Sequence, residues 1–235
     1  FPLRVTLDGN MLPSEDWLKD AVHIEDWNGA RIGVYQQHPS HYSSRDGRLN
    51  FHGLTIPCQL PSVREVDRGG HWTARVDIFD APQIQLVLPA RKEAIENAGL
   101  AELRRAVTRA IYRAIAARGT HRLSVEDWRE ARDHGVDLPE GEPYLLGWNA
   151  PAADSSNNYA TGARMTDPAM VIMSDFDALA AQPAADAIAN HNPFGGPLVV
   201  AEDGFKGYAW YDVLARVEDL RFRVVQGDLD FVVSE

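Results

Sequence analysis

Apolar and polar residues alternate one for one between Trp72 and Ile78: Trp72, Ala74, Val76 and Ile78 against Thr73, Arg75 and Asp77. A period of two predicts a strand with one covered face and one wetter face. Asp80-Ala81-Pro82 then turns the chain into a second alternating run, Ile84, Leu86 and Leu88. Upstream, residues 21–27 and 30–35 flank Asn28-Gly29, a hairpin signal because both residues tolerate positive φ. Leu3, Val5 and Leu7 open the chain as strand, and residues 49–56 read as another.

From about Arg91 to Arg118 the period changes. Leu100, Leu103, Val107, Ile111 and Ala114 recur at three and four residues, which predicts an amphipathic helix that Gly119 stops. Ser124 to Asp127 has the form of a capping box with Asp where Glu or Gln is usual. It predicts a short helix through Trp128 and Ala131 ending at Gly135, before a boundary at Pro139 and Pro143.

Residues 141–168 are irregular and read as a linker or a long loop, with Ser155-Ser-Asn-Asn158 at their centre. A β-α-β pattern follows: strand over 170–173, helix over 175–190 with Pro183 interrupting it, strand over 198–201. Residues 208–217 and 220–225 close the pattern as strands, and 230–235 is strand material too. The expected fold class is α+β. A largely antiparallel sheet packed with a long amphipathic helix fills 1–140, and a smaller α/β domain fills 169–235.

Composition narrows the setting. The chain has 235 residues, and its longest apolar runs, 171–173 and 197–201, are far shorter than the roughly 20 needed to span a bilayer. No basic stretch precedes an apolar one near the start, so no signal peptide is read. Cys58 is the only cysteine, which excludes an internal disulfide and points to the cytoplasm. Phe1 opens directly into strand, which reads as a piece of a longer chain. The net charge of −11 is uneven, with 14 acidic and 5 basic residues from Gly141 onward. Nucleic-acid binding needs clustered cations, so it is disfavoured for the C-terminal part and left open for the N-terminal part.

The segment from Arg75 to Ile95 places two strands before Leu88-Pro89-Ala90-Arg91-Lys92-Glu93, a Pro-x-[Arg/Lys]-[Lys/Arg]-Glu element read as opening the helix. This resembles the transducer domain of the GHKL ATPases, the group of MutL and gyrase B, and is most similar to the MutL type. The resemblance implies a ribosomal S5 domain 2-like fold over residues 1–118, following an ATP-binding domain. It implies that Arg91, with Lys92 beside it, reaches the nucleotide's terminal phosphate. Two positions depart from the pattern. Arg91 stands where Lys is usual, offering a planar fork in place of a point charge, and Leu88 stands where MutL proteins tend to carry His.

The motifs of ATP binding itself are missing: no helix pairs the required Glu and Asn, and no Asp-x-Gly-x-Gly loop or Walker-type loop occurs. Asn192 to Pro197 has glycines without the lysine. The chain is therefore expected to hold no cofactor of its own, with ATP and magnesium implied only for an upstream domain of the same protein. The expected role is a non-catalytic transducer and interaction segment.

Other residues suggest rival chemistries. Arg105, Arg109 and Arg113, with Arg104 adjacent, form a basic stripe opposite the helix's apolar face, a solvated face or a site for nucleic acid or an acidic partner. Asp175 and Asp177 follow a strand and serve either as helix caps or as magnesium ligands of a hydrolase or phosphotransferase. His38, His41, His52, His71 and His191 have no nucleophile motif or ligand spacing beside them, and Cys58 has no CxxC partner. A self-contained module holding another protein, through sheet edges or the acidic surface, is the remaining alternative.

Overall fold

The computed structural model describes residues 6–11, 16–37, 48–66, 70–87, 93–149, 160–173, 182–217, 221–226 and 229–234. They divide into two units, Phe1–Gly141 and Glu142–Glu235. The architecture is mixed α and β in both.

In the first unit a small exposed hairpin, β1 (Thr6–Leu7) with β2 (Asn10–Met11), precedes the main sheet. Asn28 and Gly29 take φ of 35° and 82°, the left-handed pair that a two-residue hairpin turn requires. They join β3 (His23–Trp27) to β4 (Ala30–Gln37), with Trp27 opposite Ala30. His52 and Gly53 make a second such turn, with φ of 49° and 90°. The single strand expected over 49–56 is therefore a hairpin, β5 (Arg48–Phe51) with β6 (Leu54–Pro57). β7 (Val63–Arg64) and β8 (His71–Ile78) complete a sheet of order β3-β4-β8-β5-β6. β8 lies antiparallel to β4 along its whole length. On its other side it meets β7 at its start and parallel β5 from Arg75 onward.

Trp72, Ala74, Val76 and Ile78 share the covered face with Ile32, Val34 and Leu49, as the alternation requires. α1 (Ala98–Arg118) completes this core. All five residues of its apolar stripe are buried, and so are Thr108 and Tyr112 beyond the stripe. Leu123, Ala131, Val136 and Leu138, from the chain that follows, belong to the same core. α1 begins seven residues later than Arg91. Asn97 caps it, its side-chain oxygen accepting from the Leu100 N–H at 2.9 Å. Residues 93–95 ahead of that cap pair with residues 85–87, as described below. Among the described residues the strand expected from Ile84 is one bridge, between Leu86 and Ala94. Ser124 caps α2 (Val125–Asp133), accepting from the Asp127 N–H at 3.1 Å and donating its hydroxyl to Asp127 at 2.7 Å.

In the second unit the stretch 141–168, expected as linker or loop, contains β9 (Leu145–Trp148) and β10 (Ala160–Met165), an antiparallel pair. The β-α-β pattern follows as β11 (Val171–Met173), α3 (Gln182–His191) and β12 (Leu198–Val200), the two strands parallel. Pro183 is the second described residue of α3, and residues 174–181 ahead of it lie outside the described residues. Residues 208–217, expected as strand, are mostly not. A 3-10 turn (Asp203–Phe205) and α4 (Ala209–Asp212) precede a short β13 (Ala215–Val217). Aromatic packing prevails there over strand propensity. Phe205, Tyr208 and Tyr211 are fully buried against one another, and the Glu202 N–H donates to the Tyr211 hydroxyl oxygen at 2.9 Å. The sheet order is β10-β9-β12-β11-β13, and β14 (Arg221–Gln226) and β15 (Leu229–Ser234) form a separate hairpin.

Candidate functional site

The segment singled out in the sequence is a stem closed by two short arms. The Val87 N–H donates to the Glu93 carbonyl at 3.0 Å and the Ile95 N–H to the Gln85 carbonyl at 2.7 Å, with Leu86 opposite Ala94 between them. Leu86 and Ala94 pack against the core, while Val87 and Ile95 are exposed. The stem's base is tied on both sides. Gln83 donates to the Asn28 carbonyl at 3.1 Å, and Asn97 donates to the Gln83 carbonyl at 3.2 Å. The same Asn97 caps α1, so the stem, the β3–β4 turn and the helix start form one hydrogen-bonded junction. Arg91 and Lys92, with Leu88, lie outside the described residues.

The four arginines of the basic stripe on α1 divide into two pairs. Arg104 grips Glu96 with both terminal nitrogens, at 2.6 and 2.7 Å, and donates from Nε to the Gln59 carbonyl at 3.0 Å. Its hydrogen bonds hold the Glu96 carboxyl below its ordinary range. Arg113 donates to Glu25 on the edge strand β3 at 3.1 Å, and His23 meets the same carboxylate oxygen at 3.3 Å. Arg105 and Arg109 are exposed and make no ion pair with a described residue. Half of the basic stripe is thus committed inside the fold. Glu25 is 88 residues from Arg113 in sequence, so no local spacing could have signalled that pair.

Two polar clusters went unread. At the end of α1 the wholly buried Glu65 carboxylate accepts from both Arg118 terminal nitrogens and from the Arg122 N–H at 3.0 Å. His121, also buried, receives the Leu123 N–H on Nδ1 at 3.2 Å and therefore donates from Nε2 to the Pro139 carbonyl at 2.8 Å. On the sheet's wetter face Arg75 lies 4.8 Å from the Tyr35 ring and 5.8 Å from the Trp17 ring. Burial pushes the Tyr35 phenol up, Arg75 pulls it down, and Asp16 and Asp20 add to the rise. Beside them Gln37 donates to Thr73 at 3.3 Å, and Asp77 accepts from Asn50 at 2.6 Å and from Arg31 at 3.4 Å.

Among the described residues no three of His, Cys, Asp and Glu come together to hold a metal. His38, His41, Asp175 and Asp177 lie outside the described residues. His52 forms a hairpin turn, His71 starts β8 and His191 ends α3. Cys58 is half-buried, and burial pushes its thiol up against the pull of Arg104. Thiolate chemistry is disfavoured there. No helix among the described residues is long and apolar enough to cross a membrane. Comparison with protein-family models, with curated proteins and with solved structures finds no match to this chain.

Proposed function

We propose that residues 1–118 are the transducer segment of a larger GHKL-type ATPase, with an S5 domain 2-like fold and itself non-catalytic. In this reading Arg91 and Lys92 sense the phosphate of a nucleotide held by an upstream domain. One observation carries the reading. The five residues Leu88 to Lys92 are bracketed by a paired stem, and that stem is tied through Gln83 and Asn97 to the start of α1. Two basic residues that lie in sequence between the arms of a fixed stem can sense a neighbouring domain and pass its displacement to a helix. Such sensing works only if the ATP and ADP states contact Arg91 and Lys92 differently.

The coding sequence ahead of Phe1 tests this first. It should encode a helix bearing the Glu and Asn and an Asp-x-Gly-x-Gly loop, and an upstream sequence without them removes the reading. In the full-length protein, Arg91→Ala and Lys92→Ala should lower ATP turnover about tenfold to a hundredfold, the range expected for a lost charged hydrogen bond. Unchanged turnover in both variants would also count against it.

A second reading has its own observation. β11 lies between two parallel neighbours, β12 and β13, and Met173 and Val217 pair at its carboxyl end. The chain moves from β11 to β12 and then crosses back to β13 on the far side, which makes the β11–β13 border a topological switch point. Ligands of open α/β sheets bind at such points. Asp175 and Asp177 follow β11 in sequence, which favours the magnesium-dependent hydrolase or phosphotransferase alternative for the second unit. Magnesium titration of the chain, followed by calorimetry on Asp175→Asn, decides it: the reading requires binding in the wild type and its loss in the variant.

A further inference from the structure

Glycine in a strand interior marks a close approach, and Gly33 sits in the middle of β4 on the sheet's wetter face. A Cβ there would stand 2.9 Å from Leu18 Cδ2 and 3.2 Å from Ala21 Cβ. Leu18 is only 2% exposed, although it belongs to no helix or strand. Residues 16–21 thus lie against β4 and seat one leucine in a notch that the glycine leaves open. Next to it the Trp17 ring stacks toward Arg75, whose other neighbour is the Tyr35 ring.

The attachment of this segment differs from that of the strands below it. Its described hydrogen bonds are local: the Leu18 N–H to the Asp16 carboxylate at 3.0 Å, the Lys19 N–H to the Asp16 carbonyl at 3.1 Å, and the Ala21 N–H to the Leu18 carbonyl at 3.1 Å. Side-chain packing holds it to the sheet. Its closed position also leaves the Trp17 indole N–H buried with no acceptor among the described residues. An unmet buried donor is unfavourable, and opening would return it to water. A segment with no described backbone hydrogen bond to the sheet opens locally at a lower free energy than the sheet unfolds.

We propose that the Gly33 notch and the Tyr35–Arg75 shelf form a peptide-recognition site, which residues 16–21 occupy as an autoinhibitory strap. The outside ligand is a segment of the strap's own chemistry, a tryptophan followed by a leucine with carboxylates on either side. Leucine fills the notch, the indole stacks on the guanidinium, and the acids complement Arg75. This site does not depend on the transducer reading and survives if that reading fails.

Two measurements test it. Hydrogen exchange on the intact wild-type chain should show the Leu18 and Ala21 amides opening more readily than the amides of Val34, Ala74 and Val76 in strands β4 and β8. Equal protection would mean that the strap leaves only when the unit unfolds, and the proposal falls. Fluorescence anisotropy with a labelled peptide of residues 16–22 gives the second arm. Leu18→Asp should release the strap and tighten peptide binding about tenfold or more, because a closed strap leaves only its open fraction competent. Adding Gly33→Val should fill the notch and abolish that binding. A folded Leu18→Asp variant that binds no better than wild type, or binding that Gly33→Val leaves intact, overturns the proposal. If Leu18→Asp fails to fold, the exchange result on the wild type decides alone.

Discussion

Arg118 closes on Glu65 with both terminal nitrogens, across 53 residues of sequence. The pair fixes the last turn of α1 to the chain ahead of β8. The same guanidinium lies 5.2 Å from the Trp72 ring, so one side chain joins the helix end, the β7 connection and the central strand. Glu65 is wholly buried, while the Arg118 side chain is 30% exposed. That asymmetry ranks the two deletions.

Arg118→Ala leaves a buried carboxylate with the Arg122 N–H as its remaining described donor, and it should lower stability by about 3–5 kcal/mol. Glu65→Gln keeps an acceptor and frees an arginine that can still reach water, so it should lose about 1–2 kcal/mol. Urea denaturation of the two variants checks the order. A larger loss for Glu65→Gln would mean that the arginine, not the carboxylate, is the group that burial strands.

Tyr112 is fully buried and donates its hydroxyl to Glu130 at 2.8 Å. Burial raises its phenol well above the ordinary value, with the Glu130 hydrogen bond and charge adding to the rise. The folded state therefore holds this proton more tightly than the unfolded chain does. The contribution is whole below the unfolded value of about 10 and declines as pH rises above it. Tyr112→Phe should lose about 1 kcal/mol at neutral pH and flatten the fall in stability above pH ~10. Tyr35 is shifted the same way, so some alkaline slope should survive in the variant. Denaturation curves at several alkaline pH values give the comparison, and an unchanged slope would remove Tyr112 from the account.

Much of this core was legible because it repeats. The alternation through β8 and the three-four spacing of α1 placed Trp72, Val76, Leu103, Val107 and Ile111 inside, and they are inside. Asn28-Gly29 named its own turn. Elements that depend on a single local reversal were misread. His52-Gly53 splits one apolar run into two strands, and the Leu86–Ala94 bridge turns an expected strand and helix start into a stem. Short elements held by aromatic packing, as at Tyr208 and Tyr211, carry no period to read. Partners distant in sequence, Glu65 for Arg118 and Glu25 for Arg113, leave no local trace at all. The mid-strand Gly33 was a readable signal of close approach, although it does not say which segment approaches.

The cap of α2 separates geometry from charge. Ser124 and Asp127 bond reciprocally, and Ser124→Ala should lower stability by about 1 kcal/mol. Burial nevertheless pushes the Asp127 carboxyl up, with the Ser124 bonds opposing. A raised carboxyl contributes stability while protonated and loses that contribution as pH rises through its folded value. At neutral pH the charge itself is then no asset. Asp127→Asn should stay within about 0.5 kcal/mol of wild type at pH 7, and thermal melts of the two variants should differ in that order. A loss for Asp127→Asn matching that of Ser124→Ala would show that the carboxylate charge matters at the helix start after all.

Arg105 and Arg109 distinguish a solvated helix face from a docking face. Arg104 is committed to Glu96 and to the Gln59 carbonyl, so Arg104→Ala should lower the melting temperature. Arg105 and Arg109 have no such described ties. Replacing both with Glu should change stability by no more than about 0.5 kcal/mol, as at surface sites away from special features. The chain carries a net charge of −11, so any retention on a heparin column at low salt has to come from a local basic patch. If Arg105 and Arg109 are that patch, the double reversal abolishes retention while Arg104→Ala keeps it. If the wild type is not retained, the two arginines are solvent-facing charges, and the basic stripe has no polyanion to meet. If the reversal lowers the melting temperature as much as Arg104→Ala does, both side chains have partners within the fold, and the stripe is structural throughout.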